Sequence, residues 1–172
     1  MITQATLPAL LAFDEAVETS DAFLQRAYSE FRRLICSQAF VVDGRNVYVP
    51  DNGVFMQVDT AFWHVCASDE GALGRYGSVD RAQHIPWIPA ILRGADAGDV
   101  LEWEDTVQTK RGPELTRYLA PGDGSYRLVL RPIVRQGNND WLLLTGFPQH
   151  SDRKRMRTVA SWRVHQVTRG AR

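Results

Sequence analysis

Two histidines, an arginine and a threonine stand where apolar runs give way to polar chain. His64 closes Thr60-Ala61-Phe62-Trp63-His64-Val65, Arg81 and His84 share Arg81-Ala82-Gln83-His84-Ile85-Pro86-Trp87, and Thr145 ends Trp141-Leu142-Leu143-Leu144-Thr145. An imidazole changes charge within the physiological range and can take or give a proton. A guanidinium binds two phosphoryl oxygens at once and neutralises charge that develops on them. A hydroxyl can donate to the same centre. Gathered in one cleft, such groups could break a phosphodiester without a metal, with a neighbouring 2′-hydroxyl as the nucleophile.

Each of these residues also has a plainer explanation. His64 and His84 could be structural histidines satisfied by backbone, Arg81 could pair with Asp80, and Thr145 could simply be a β-former. Arg117, Tyr118, Tyr126, Arg127 and Arg131 fall on neighbouring strands. Aromatics interleaved with arginines can stack bases and hold phosphates, or they can form a solvated sheet face over buried tyrosines. Glu102, Glu104 and Asp105 flank Trp103, where charges on an edge strand are commoner than a paired-carboxylate site. Trp87 and Trp103 read as core anchors. No P-loop, G-x-G-x-x-G, H-E-x-x-H or G-x-S-x-G supports a nucleotide-dependent or zinc-hydrolase reading. Neither a metal nor a cofactor is expected.

The elements that would position these residues follow from periodicity. Residues 6–36 read as helical, interrupted by Thr19-Ser20-Asp21, which has N-cap chemistry. Phe23, Leu24, Ala27, Phe31, Leu34 and Ile35 then recur at helical spacing. Asp43-Gly44 between Ala39-Phe40-Val41-Val42 and Val47-Tyr48-Val49 predicts a hairpin, with a third strand over 54–58 and a short element carrying His64. Residues 67–78 form a glycine-rich loop. Ser78 or Asp80 can cap a helix bearing Arg81 and His84, which Pro86 and Pro89 disrupt and Gly94 and Gly98 end. Closely spaced strands at 99–105, 115–119, 125–131 and 140–146 predict an antiparallel meander. Residues 151–168 predict an exposed basic helix. Three segments result: 1–38 helical, 39–148 α+β, and 149–172 a basic tail or helix.

Composition sets wider bounds. A chain of 172 residues with 44% hydrophobic content has one domain's length and enough apolar surface for a core. Its net charge is zero, but residues 1–130 hold 11 Lys+Arg against 18 Asp+Glu, and residues 131–172 hold 9 against 2. An acidic front and a basic tail point to a polyanion or an acidic partner. The run Arg153-Lys154-Arg155-Met156-Arg157 reads as a solvated helix face or as an RNA-tracking surface with steep salt dependence. His150 and His165 fall in this tail with no role assigned. Cys36 and Cys66 have no zinc spacing and read as small buried thiols. No signal peptide or membrane span is recognisable, so the expected location is cytoplasmic.

Taken in order, Phe62-Trp63-His64, residues 81–88, residues 100–105, Arg117-Tyr118-Leu119, residues 126–130 and residues 142–148 resemble the phage and bacterial branch of the barnase–EndoU–colicin–RelE-like nucleases. The resemblance spans about residues 54–148 and rests on the order of the pieces rather than on any one of them. It implies an α+β fold, N-terminal helices on an antiparallel sheet, and a metal-independent endoribonuclease, often a toxin. Carried over, His64 is the general base or acid, Arg81 the phosphate clamp and Thr145 the hydroxyl donor. Two departures stand out. Gly146 follows Thr145 where the family favours alanine, and His84 stands where an arginine is more usual, which would either weaken phosphate binding or add a second titratable group.

The expected function is therefore cleavage of an RNA substrate by a toxin effector, with an antitoxin or immunity protein as partner and no membrane association. The alternatives are a non-catalytic RNA-binding module and a protein-interaction subunit such as an antitoxin, adaptor or phage component.

Overall fold

Phe23, Ala27, Phe31 and Ile35 recur every three or four residues and are all fully buried, the signature of a helix with one face on the core. They define α1 (Ser20–Cys36), whose first turn is capped by the Thr19 hydroxyl accepting from the Ala22 amide at 3.1 Å. The computed structural model describes residues 1–36, 47–48, 54–66, 78–135 and 137–170. Further elements are β1 (Val47–Tyr48), β2 (Val54–Gln57), α2 (Val58–Cys66), α3 (Val79–Gln83) and α4 (Trp87–Asp96). They lead into β3 (Leu101–Thr109), β4 (Gly112–Ala120), β5 (Tyr126–Arg135), β6 (Asn138–Pro148) and α5 (Asp152–Gly170). The fold is α+β, with helices flanking the sheet.

The sheet runs β1-β2-β6-β5-β4-β3. The last four strands form the expected antiparallel meander. They are longer than the apolar pattern predicts because β3 and β4 extend past the core into solvent, where Thr106, Val107 and Gln108 are all exposed and no alternation survives. The unexpected pairing is β2 with β6, which is parallel. α2 then continues beyond β2 along the β6 edge, beside the second half of β6. The predicted turn at Asp43-Gly44 and the 67–77 part of the glycine-rich loop lie outside the described residues.

The helical reading of residues 6–18 is corrected: this stretch is an extended strap with short turns. Pro8 disfavours helical backbone at Leu7, and tertiary hydrogen bonds take over. The Ile2 amide donates to the Asp99 carbonyl at 2.9 Å, the Leu11 amide to Gln83 at 2.9 Å, and the Trp87 indole to the Pro8 carbonyl at 2.8 Å. Leu7, Leu11 and Phe13 pack on the core from this strap, so their helix-like spacing marks burial and not helix. Ile2 also explains Gly94, which lies inside α4 and does not end it. A Cβ there would come within 3.0 Å of the Ile2 side chain and 2.9 Å of Val100. Gly98, with φ of 74°, does end the helix.

The sheet has two covered faces. On one, Leu119, Leu128, Leu130 and Leu143 meet α1, α2 and α4 in the main core. On the other, Leu101, Trp103 and Ala120 pack with Tyr118 and with Val159 and Trp162 of α5. The basic C-terminal helix is therefore seated on the sheet through Val159 and Trp162.

Gly146 has a clear steric reason. It pairs with Leu128 across the β5–β6 ladder, and a Cβ would stand 2.7 Å from Leu128 Cδ2 and 2.9 Å from the Tyr126 hydroxyl. Tyr126 is fully buried and cannot yield. Gly146→Ala should destabilise the protein by about 1–3 kcal/mol through overpacking, read as a lower midpoint in urea with an unchanged slope.

Candidate functional site

Ser78 starts the site. Its hydroxyl accepts from the Arg81 amide at 3.3 Å and caps α3. This short helix sets Asp80 and Arg81 toward β6 and α5. There the start of β5, the end of β6 and the first turns of α5 enclose an open groove of about 660 Å³. Its described lining is Ser78, Asp80, Arg81, Arg127, Phe147, Pro148, Gln149, His150, Lys154 and Arg157. Four permanent cations thus surround one carboxylate, which favours anions of high charge density.

Arg127 forms the groove's inner wall. It alternates with the buried Tyr126 and Leu128 on β5 and so points to the α5 side of the sheet. Its guanidinium carbon lies 5.5 Å from the Trp103 ring centre and 5.3 Å from that of Tyr118. Nη2 donates to the Thr158 hydroxyl at 2.7 Å, while Nε is buried without a hydrogen-bond partner. Burial lowers this guanidinium's pKa, and the nearby Tyr118 pulls it the other way. Arg81 lies over the Phe147 ring at 5.7 Å.

His150 is the residue that sequence reasoning did not single out. Its Nε2 lies 2.7 Å from Asp80 Oδ2, and both side chains remain accessible. Asp80 also holds His84: the His84 Nδ1–H donates to the Asp80 carbonyl at 2.7 Å. His84 itself is buried, edge-on to Trp87 at 4.7 Å, stacked on Tyr126 at 5.9 Å, and 5.8 Å from the His150 ring. It supports the groove from behind and does not line it.

Burial holds the His84 pKa below the ordinary imidazole value, outweighing the Asp80 carbonyl and carboxylate that raise it. A depressed histidine pKa means that the unfolded chain takes up the proton first. Its contribution to stability is complete above about pH 6.5 and is lost as pH falls toward the folded value. Denaturant midpoints at pH 7.5 and 5.5 should therefore fall less on acidification in His84→Asn than in the wild type.

The other expected site residues separate. His64 is exposed on α2 and does not line the groove. Thr145 meets it through the backbone: the hydroxyl donates to the His64 carbonyl at 3.2 Å, tying β6 to the last turn of α2. Thr145 is two residues from Phe147, which lines the groove. Arg117 lies on the opposite face of the sheet, buried, ion-paired with Glu102 and 5.3 Å from the Trp141 ring centre. Tyr118 is stacked on Trp103 at 5.1 Å beneath Arg127, and burial pushes its pKa up. Tyr126 offers no face to a ligand. Arg131 is exposed farther along β5. Of that group only Arg127 reaches the groove.

Cys66 is a buried free thiol, its pKa pushed up by burial to about 12. Among the described residues no cluster of three His, Cys, Asp or Glu side chains has the geometry to hold a metal ion, and no helix is long and apolar enough to cross a membrane. No family model, no curated protein and no solved structure matches the chain.

Proposed function

We propose that the chain is a metal-independent endoribonuclease that lays an RNA backbone in this groove. The supporting observation is the convergence of Arg81, Arg127, Lys154 and Arg157 beside the hydrogen-bonded His150–Asp80 pair. Cleavage by 2′-hydroxyl attack needs a proton acceptor, compensation for phosphorane charge, and protonation of the leaving 5′-oxygen. Arg81 clamps a phosphate from the α3 side, and Arg127 meets it from β5. A partly desolvated guanidinium that lines the groove is well suited to an anionic oxygen. Lys154 and Arg157 carry the flanking phosphates.

The test is cleavage of labelled single-stranded RNA in EDTA. The wild type should cleave, and Arg81→Ala should be slower by about 10²–10³-fold, as when one stabilising donor is removed from a charged transition state. Undiminished cleavage by Arg81→Ala overturns the reading. RNA that is bound, with steep salt dependence, but stays intact identifies a non-catalytic binding module instead. As a toxin effector, the wild-type gene should transform cells poorly and the Arg81→Ala gene normally. An acidic antitoxin or immunity protein is the partner that basic α5 would attract.

A further inference from the structure

We infer that His150 is the proton-transfer group of the groove and that Asp80 is its positioning residue. This rests on the endoribonuclease reading above. A carboxylate that accepts from imidazole Nε2–H fixes the tautomer, leaving Nδ1 as the basic nitrogen. Here the acceptor is Asp80 Oδ2, at 2.7 Å from His150 Nε2. The same aspartate is held in place by its own carbonyl, which receives the His84 Nδ1–H at 2.7 Å, and by its position in the first turn of the Ser78-capped α3. One residue thus links a buried imidazole and an accessible one.

The alternative role for this pair is structural. An exposed ion pair contributes only about 0–1 kcal/mol, and these two side chains are 63% and 50% exposed. The pair therefore does little for the fold, while it stands among cations placed to hold a phosphate. The charged and titratable groups facing His150 are Asp80 and Arg81 from α3, His84 behind it, Arg127 from β5, and Lys154 and Arg157 from α5. The chemical step balances without an external reagent. The 2′-hydroxyl proton passes to His150 Nδ1 as the 2′-oxygen bonds to phosphorus. The P–O5′ bond breaks, a 2′,3′-cyclic phosphate forms, and the 5′-oxygen takes a proton from water in the open groove. His150 then returns its proton to solvent.

The experiment compares wild type, His150→Gln, Asp80→Asn and Arg81→Ala, measuring RNA affinity and the single-turnover cleavage rate from pH 5 to 8. His150→Gln should bind RNA within about threefold of wild type yet cleave about 10²–10⁴-fold more slowly, with no rise in rate with pH attributable to an imidazole. Asp80→Asn should lose about 10-fold or more in rate. The loss should fall on the rate and not on RNA affinity, because the carboxylate sets which imidazole nitrogen carries the proton and not how the phosphates are held. A merely structural Asp80 would weaken RNA binding together with the rate, since the groove itself would be disturbed. If His150→Gln cleaves like wild type while Arg81→Ala does not, the assignment of His150 is overturned and the nuclease reading stands. If the wild type binds RNA and never cleaves it, both fall.

Discussion

Under the proposed endoribonuclease function, Arg127→Met should remove most RNA cleavage while leaving the fold about as stable as before. The guanidinium sits over Trp103 and Tyr118, reaches Thr158 through Nη2, and keeps a buried Nε without a partner. Stacking on the two rings contributes about 0.5–2 kcal/mol, and a charged hydrogen bond about 1.5–3 kcal/mol. Desolvation works against both, which is why burial lowers this arginine's pKa. Methionine preserves the stem packing, and the Thr158 hydroxyl still donates to the Lys154 carbonyl at 3.2 Å. The expected melting temperature is within about 4 °C of wild type, the effect of roughly 1 kcal/mol in a domain of this size. Cleavage should fall about 10²–10³-fold, as expected for losing a charge that faces the phosphorane. Differential scanning calorimetry and single-turnover rates check the two halves. A large loss of stability with little change in rate would make Arg127 a structural residue.

Trp103→Ala should produce a large loss of stability. Trp103 is 2% exposed, at the centre of the second core, between the β3–β4 ladder and α5. Truncating a buried tryptophan costs about 3–5 kcal/mol. At about 2–4 °C per kcal/mol, the melting temperature should drop by roughly 6–20 °C. The same change removes the surface on which Arg127 and Tyr118 rest, and it loosens the seat of Val159 and Trp162. Salt dependence of RNA affinity should weaken along with stability, because Lys154 and Arg157 reach the groove only when α5 is docked. A variant as stable as wild type would contradict this account of the second core.

Local pattern accounts for much of this architecture. The spacing of Phe23, Ala27, Phe31 and Ile35 specifies α1, and Ser78 announces α3. Gly137, with φ of 80°, stands just before β6, which already begins at Asn138, and Trp87 and Trp103 are core residues as their type suggests. What escaped reading depends on partners distant in the chain. Leu7, Leu11 and Phe13 have helical spacing, but the strap they form is held by Asp99, Gln83 and Trp87. The parallel register of Val54 with Trp141 has no local signature.

The groove illustrates the same division. Arg81 was legible from its place beside a capped helix start, and Arg127 from its strand. His150 was not, because its partner Asp80 lies 70 residues away. Its one local cue is the cluster of Lys154 and Arg157 a turn beyond it. His84 looked reactive by type, yet its apolar neighbours Ile85 and Trp87 already indicated burial. His64 and Thr145 do meet, 81 residues apart, through a backbone carbonyl that no side-chain pattern could foretell.

The most direct measurement is the chemical form of the 3′ ends left on single-stranded RNA after incubation with the protein in EDTA, read by mass spectrometry. A matched substrate with 2′-deoxy sugars serves as control. The predicted result is a 2′,3′-cyclic phosphate on the ribose substrate, none on the deoxy substrate, and almost none with Arg81→Ala. Fragments ending in a 3′-hydroxyl, or equal cutting of the deoxy substrate, would contradict a groove that activates the 2′-hydroxyl.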